Sequence, residues 1–362
     1  MQLRLATYNV ENLFERAKVL NFAQHETGDE KLARIAELQA ILEKPEYSEA
    51  DRAAAGALYA ELFDEIGYVM PRSEVGFYLF RRSGDGYVLA PQRRDQWTGW
   101  LTFDRDRFSD VASRNTAKVI REIDADVLCV NEVETRNVLR HFDSDRLGGM
   151  YPHDLLIDTP NDPRGIDVGL WSKHRLGRIR SNVFERTPEG APLFSRDCLE
   201  VEVLTPAGPV HVLLNHFKSK HGGGDGRRRA QAEGVRRILE TRYDLARDMI
   251  AVLGDLNDAP QSWPLEPLTR DPRLADVLHQ RQGPGPSDRW TYVYRGRRSQ
   301  IDYILVSRRL ADRLVASGVE RRGMPPESLE GGEVAPFPGV EDWRSAGSDH
   351  AAVWADFDLP AP

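Results

Sequence analysis

Ala117-Lys118-Val119-Ile120-Arg121-Glu122-Ile123 is followed by Asp124-Ala125-Asp126 and then by Val127-Leu128-Cys129-Val130. The first seven residues are helical in character. The acidic triplet is a short turn. The four apolar residues after it form a buried strand, which ends in Asn131-Glu132. Helix, tight turn and buried strand in succession indicate a layered α/β architecture.

Outward from this unit, strand-like runs recur at 154–157, 168–171, 199–204, 210–215, 249–253, 301–306 and 352–357. Leu3, Leu5 and Thr7 alternate with Arg4, Ala6 and Tyr8, so residues 3–9 read as the first strand. One long helix, about 227–245, separates two of the runs. Many strands with few helices between them fit two sheets packed face to face better than one doubly wound sheet. The segment from about 28 to 66 differs. Leu32, Ile35, Leu38 and Leu42 share one helical face, and Pro45 ends that helix. Ser48 caps a second helix with Leu58, Leu62 and Ile66 along one side, which makes a helical hairpin. Residues 318–347, rich in Gly, Pro and Glu, read as a long loop.

The chain has 362 residues, 40% of them hydrophobic, 29% charged, with a formal net charge of -8. There is ample material for a core. The acidic balance argues against binding nucleic acid with the whole surface, and it suits a carboxylate site that needs a cation. Two cysteines build no disulfide framework, and Cys129 reads as a small buried hydrophobe. No stretch approaches the roughly 20 apolar residues of a membrane span, and the start shows no signal-peptide pattern, so a cytoplasmic location is expected.

Five strands run into groups that bind metal or phosphate. The first delivers Asn9 and, two residues on, Glu11. The others deliver Asn131-Glu132, Asn215-His216-Phe217-Lys218 and Gly254-Asp255-Leu256-Asn257, and the last strand opens with Asp349-His350. Singly, each has an ordinary explanation: Asn9 a turn cap, Glu132 a helix start, His216 a core histidine, Asp255 to Asn257 a turn. Their joint occurrence at strand ends is harder to explain that way. The chemistry they suit is phosphate-ester hydrolysis assisted by a hard divalent cation such as Mg²⁺, or Mn²⁺ in its place. Glu132 and Asp349 are the first ligand candidates. Asp255, steadied by Asn257, can orient and deprotonate a water. His216 and His350 can donate to phosphoryl oxygens, with a carboxylate behind His350 fixing its tautomer. The chain contains no G-x-x-x-x-G-K-[S/T], H-E-x-x-H, G-x-S-x-G or C-x-x-C.

Tyr8-Asn9-Val10-Glu11-Asn12, Cys129-Val130-Asn131-Glu132-Val133, Gly254-Asp255-Leu256-Asn257, Gln300-Ile301-Asp302-Tyr303-Ile304-Leu305 and Ser348-Asp349-His350 together resemble, in order, the motifs of the endonuclease/exonuclease/phosphatase superfamily. The resemblance covers about 1–20 and 112–360. It implies a four-layer α/β sandwich, two packed mixed sheets flanked by helices, with a Mg²⁺ site at one edge. It further implies Glu132 as the main ligand with Asn9, Glu11 and Asp349 close to the metal, Asp255 with Asn257 as the water-activating group, and Asp302 as the carboxylate orienting His350. Glu11 stands where apurinic endonucleases have Asp. Phe194-Ser195-Arg196 is similar to a segment that supplies a phosphate-contacting Arg, and Asn215-His216-Phe217-Lys218 looks like the version in bacterial nucleases, with His216 on the phosphate and Lys218 beside it.

On this reading residues 1–362 form one domain with an insertion at about 21–110, whose role is a lid, a partner surface or, by default, packing. Trp97 and Trp100 within it are either base-stacking residues or core. The expected activity is Mg²⁺-dependent cleavage of DNA or RNA phosphodiesters, with Arg196, Lys218, Lys220 and Arg227 to Arg229 offsetting the acidic charge locally. The competing reading is a phosphatase or phosphodiesterase for a small or lipid phosphate. A binding protein on a decayed scaffold is disfavoured, because every catalytic position is filled.

Overall fold

The computed structural model of the protein describes residues 1–15, 17–20, 25–105, 111–162, 164–220, 222–331 and 334–360. The chain divides into two compact units, Met1–Phe14 with Phe108–Pro362, and Glu15–Arg107.

The chain starts with strand β1 (Gln2–Leu13) of the larger unit. The smaller unit follows, with α1 (His25–Leu42), α2 (Glu49–Glu61), β2 (Ile66–Ser73), β3 (Phe80–Ser83), β4 (Gly86–Leu89) and β5 (Trp97–Phe103). The Ser48 cap forms a complete box: Asp51 N donates to Ser48 Oγ at 3.1 Å and Ser48 N to Asp51 Oδ2 at 3.0 Å. Leu38, Leu42, Leu58, Leu62, Phe80 and Trp97 share one core. The hairpin is shorter than its sequence suggests. Ile66 continues the helical spacing of Leu58 and Leu62, but it opens β2, which pairs with β5. In β5 the two tryptophans fall on opposite faces, as three-residue spacing in a strand dictates. Trp97 is buried, its Nε1 donating to Tyr47 Oη at 3.1 Å, whereas Trp100 is 57% exposed.

The larger unit resumes with α3 (Val111–Ile123), β6 (Val127–Val133), α4 (Arg136–Phe142), β7 (His153–Leu156), β8 (Asp167–Ser172), β9 (Leu176–Arg180), β10 (Leu199–Thr205), β11 (Gly208–His216) and α5 (Asp225–Arg242). It closes with β12 (Met249–Asp255), β13 (Leu274–Asp276), the hairpin β14 (Tyr292–Tyr294) and β15 (Arg297–Ser299), β16 (Asp302–Ser307), β17 (Leu314–Glu320) and β18 (Ala352–Asp358). Two six-stranded mixed sheets result, ordered β17-β18-β1-β6-β8-β7 and β13-β16-β12-β11-β10-β9.

Strand alternation builds the layers. Val127 and Cys129 of β6 face the core between the sheets, together with Leu3, Leu5, Val212, Leu214, Ala251 and Leu253. Their neighbours Leu128 and Val130 face outward onto Val119, Ile120 and Ile123 of α3. On the second sheet Leu213, Ile250 and Val252 face outward onto Val235, Ile238 and Leu239 of α5. Helix, sheet, sheet and helix therefore stack as four layers.

Strands β2 to β5, β9, β13 to β15 and β17 lie outside the runs that the sequence pattern shows. Edge strand β9 has exposed arginines instead of an apolar run, and β17 takes residues 318–320 of the expected loop, which also contains a short helix, Pro326–Leu329. Among the described residues no helix is long and apolar enough to cross a membrane.

Strand direction gathers the polar ends. β1 runs parallel to β6 and antiparallel to β18, so the carboxyl ends of the first two and the amino end of the third share one edge. β11 and β12 run parallel while β16 opposes β12, which places His216, Asp255 and Asp302 in adjacent register at one edge of the second sheet.

Candidate active site

The two edges meet in hydrogen bonds between their asparagines and Asp255. Asn9 Nδ2 donates to Asp255 Oδ2 at 3.3 Å, Asn131 Nδ2 to Asn215 O at 3.0 Å, and Asp255 N to Asn131 Oδ1 at 3.2 Å. Close approach explains Gly254, whose φ is +133°: a Cβ there would lie 1.8 Å from Asn215 O on the paired strand. Asn257 completes the cradle, donating N to Asp255 Oδ1 at 2.8 Å and Nδ2 to Asp255 Oδ2 at 3.0 Å.

Behind His350 stands Asp302. His350 Nδ1 lies 2.9 Å from Asp302 Oδ2, which also accepts from Thr291 Oγ1 at 2.6 Å. His350 Nε2 faces the other way, 3.8 Å from Asp349 Oδ1 and 4.0 Å from Asp255 Oδ2. Ser348 ties this segment to β1 through its Oγ, 2.7 Å from Asn9 O.

Glu11, Glu132, His216, Asp255, Asn257, Asp349 and His350 line one cleft of about 760 Å³, together with Arg164, Lys220, Tyr292, Tyr294, Arg297 and Arg298. Glu11 Oε2 accepts from Asp349 N at 2.9 Å. His216 Nε2 lies 3.5 Å from Asp255 Oδ2 and 3.8 Å from Glu132 Oε1, while its buried Nδ1 has no partner. Among the described residues five non-glycines have positive φ. Three of these are Glu11 (+51°), Glu132 (+68°) and Asn257 (+56°). Such backbone is strained by about 1–3 kcal/mol per residue and concentrates where function fixes a side chain.

The electrostatics follow from burial and crowding. Burial, and then the charge of Asp302, pushes the Asp255 carboxyl up to about 7. Burial and the Asp349 charge push Glu11 up to about 7. His350 is opposed by burial, but Asp302, Asp349 and Asp255 overcome it and hold the imidazolium well above the usual histidine range. His216 goes the opposite way: burial, with Arg196 and Arg164 nearby, keeps it neutral. Its Nε2 faces carboxylates, so the neutral ring carries its proton there.

Two sets of donors invite a cation. Asp255, Asp302 and His350 offer ligand atoms within 4.8 Å of one another. The hydrogen bond between His350 Nδ1 and Asp302 makes this set better suited to moving protons than to a metal cage. Glu11, Glu132 and Asp349 form the other set. The fit is chemical: three carboxylates, oxygen donors that suit a hard divalent cation, face one cleft.

Of the expected site residues, Asn9 and Asp302 stand behind the cleft wall, and Arg196 and Lys218 are not among its lining residues. Arg196 is 3% exposed, its Nε 2.6 Å from Asp162 Oδ2 without hydrogen-bond alignment. Lys218 Nζ donates to Ser219 O at 3.2 Å. Arg228 is buried against Asp258 and Arg229 pairs with Glu233, so neither is a free cation for the cleft. Lys220 does line it, although it pairs with Asp258 at 2.9 Å. The rim residues Arg164, Tyr292, Tyr294, Arg297 and Arg298 were not anticipated. Their available signal was a turn at a strand end, Asn161 to Gly165, and an aromatic and basic run just ahead of Asp302.

Residues 103–350 match the model of the endonuclease/exonuclease/phosphatase family. No curated protein sequence matches the chain. An endonuclease/exonuclease/phosphatase family protein from Bacteroides thetaiotaomicron superposes with a TM-score of 0.50 at 14% identity, covering 99% of each chain, which is a likeness of fold. Truncated TDP2 from Caenorhabditis elegans gives a TM-score of 0.48 at 18% identity over 68% of this chain and 91% of that one. The human Nocturnin catalytic domain with bound sulfate gives 0.45 at 16% identity over 68% and 87%. The chain belongs to the endonuclease/exonuclease/phosphatase family, whose members are phosphoric ester hydrolases.

Proposed function

We propose that this protein is a divalent-metal-dependent nuclease that hydrolyses phosphodiester bonds of DNA or RNA. The observation that carries the reading is the opposition, in one cleft, of an anionic floor (Glu11, Glu132, Asp255, Asp349) and a cationic rim (Arg164, Lys220, Arg297, Arg298). The floor suits a cation and a water, and the rim suits a polyanion. Glu132, Glu11 and Asp349 would hold the metal, with Asn9 fixing Glu11 by accepting its backbone N–H at 3.1 Å. When bound, Mg²⁺ supplies electrophilic stabilisation of phosphoryl charge.

Asp255 is the general base. Three hydrogen bonds from Asn9 and Asn257 aim its carboxylate, and its elevated proton affinity matches a base working near neutrality. His350, kept protonated by Asp302, donates from Nε2 to a phosphoryl oxygen as charge develops there. His216, whose Nε2 lies 3.5 Å from Asp255 Oδ2, donates as a neutral imidazole. Every residue given a role in this chemistry lies in the unit formed by Met1–Phe14 and Phe108–Pro362.

The test is incubation of the protein with supercoiled plasmid, single-stranded DNA and RNA, with Mg²⁺ and with EDTA. Cleavage of at least one nucleic acid, abolished by EDTA, is expected. Release of phosphate from small phosphomonoesters with every nucleic acid left intact would replace this reading with that of a small-substrate phosphatase.

A further inference from the structure

We propose that one face of the β14–β15 hairpin is a subsite for the nucleotide next to the scissile phosphate, with Tyr294 stacking on its base and Arg297 pairing with its phosphate. The inference rests on the nuclease reading and assigns it a substrate of at least two nucleotides, unpaired at that position.

The hairpin register carries the argument. Tyr292 opposes Ser299, Val293 opposes Arg298, and Tyr294 opposes Arg297. Directly opposed residues share a face and successive residues alternate. Tyr292, Ser299, Tyr294 and Arg297 therefore lie on one face, and all four line the cleft. The other face packs on the body of the protein, although Arg298 from it also borders the cleft. Val293 packs against the cluster of Trp290, Met324 and Leu329, and Arg298 lies 4.7 Å over the Trp290 ring with its Nη2 donating to Glu330 O at 2.8 Å. The turn joins Arg295 and Gly296, with φ of +50° and +74°, the sign pattern of a tight two-residue hairpin.

The inner end of the cleft-facing side is locked to the catalytic histidine. The Tyr292 ring centroid is 4.8 Å from that of His350, the two residues form a bridge pair, and Ala351 N donates to Thr291 O at 2.7 Å. At the outer end Arg295 lies 5.3 Å over one face of the Tyr294 ring, a contact between exposed side chains that a base can displace or sandwich. Tyr294 is 58% exposed, and Arg297 has no hydrogen-bond or ion-pair partner among the described residues. Two residues along a strand advance about 7 Å. Tyr294 and Arg297 therefore present a ring and a free guanidinium one step outward from the reaction centre, in the direction the strand fixes. A ring and a cation at that offset match a base and the phosphate attached to its nucleotide. A small phosphomonoester bound at Asp255 and His350 would reach neither.

The experiment compares KM for a ten-residue oligothymidylate and for bis(p-nitrophenyl) phosphate in the wild-type protein and in Tyr294→Ala, Tyr294→Phe and Arg297→Ala, all with Mg²⁺. Both positions are exposed, so the variants fold. Tyr294→Ala is expected to raise the oligonucleotide KM about tenfold, and Tyr294→Phe to keep it. Arg297→Ala is expected to reduce the slope of log KM against log salt by about 0.7. In both alanine variants the rise in KM is expected to be several-fold larger for the oligonucleotide than for bis(p-nitrophenyl) phosphate. Wild-type protein that cuts the oligonucleotide while Tyr294→Ala and Arg297→Ala match it, or variants impaired equally on both substrates, would overturn the subsite alone. Wild-type protein that hydrolyses bis(p-nitrophenyl) phosphate and leaves the oligonucleotide intact would overturn the nuclease reading together with the subsite.

Discussion

Replacing Arg196 by alanine should damage the fold more than the substrate affinity, and replacing Arg164 should do the reverse. The resemblance implied that Arg196 touches phosphate. In the structure its side chain is 3% exposed and its partner Asp162 is 6% exposed, at 2.6 Å. Breaking a buried pair costs about 3–5 kcal/mol when the other charge is left uncompensated; Arg164 Nε, 3.7 Å from Asp162 Oδ1, offsets part of that, so the lower end is expected. For a unit of this size the fall in Tm is on the order of 10 °C. Adding Asp162→Ala to Arg196→Ala removes the stranded charge and should return roughly 1–3 kcal/mol. Arg164 is exposed on the cleft rim, so Arg164→Ala should move stability by less than about 0.5 kcal/mol. One charged contact to phosphate is worth about 1.5 kcal/mol or more, which corresponds to a roughly tenfold rise in KM. The assay is thermal unfolding of the four proteins beside steady-state cleavage of an oligonucleotide. Arg196→Ala with wild-type Tm and a raised KM would return the phosphate contact to Arg196.

Asp167 gives a pH prediction away from the cleft. Burial pushes its carboxyl up to about 7, and its Oδ1 is buried without a partner. A carboxyl raised in the folded state costs stability increasingly as pH climbs from about 4, the unfolded value, to the folded value. Asp167→Asn should therefore gain roughly 1–2 kcal/mol over wild type at pH 8 in urea unfolding, and nothing at pH 4; the ceiling from the shift is about 4 kcal/mol. Gly254→Ala should lower Tm by more than backbone strain of about 1–3 kcal/mol accounts for, because its Cβ meets Asn215 O at 1.8 Å.

The strand-end residues were legible because each follows an apolar run, and a run that stops at a polar pair fixes where the strand ends. Parallel pairing of β1 with β6 and of β11 with β12 then brings Asn9, Asn131, His216 and Asp255 together without further instruction. Asp302 came only through the resemblance, since nothing in its spacing from His350 shows that they meet. Arg196 is a case where sequence cannot discriminate: Phe194-Ser195-Arg196 reads the same whether the guanidinium faces the cleft or turns to Asp162. Ile66 was drawn into a helix because its spacing from Leu62 suits one, while cross-strand pairing with Phe103 decided otherwise. Edge strands β9 and β17 lack the buried second face that makes an apolar run. The rim hairpin was missed because its faces become visible only once its register is known.

The proposed chemistry turns on Asp255 activating the water in a cleft where His350 meets the phosphate. It is tested most directly by kcat for phosphodiester cleavage in Asp255→Asn with Mg²⁺ present, with circular dichroism to establish that the variant is folded. Removal of a general base should cost about 10²- to 10⁴-fold. A folded Asp255→Asn protein that retains kcat within a few-fold of wild type would contradict the claim.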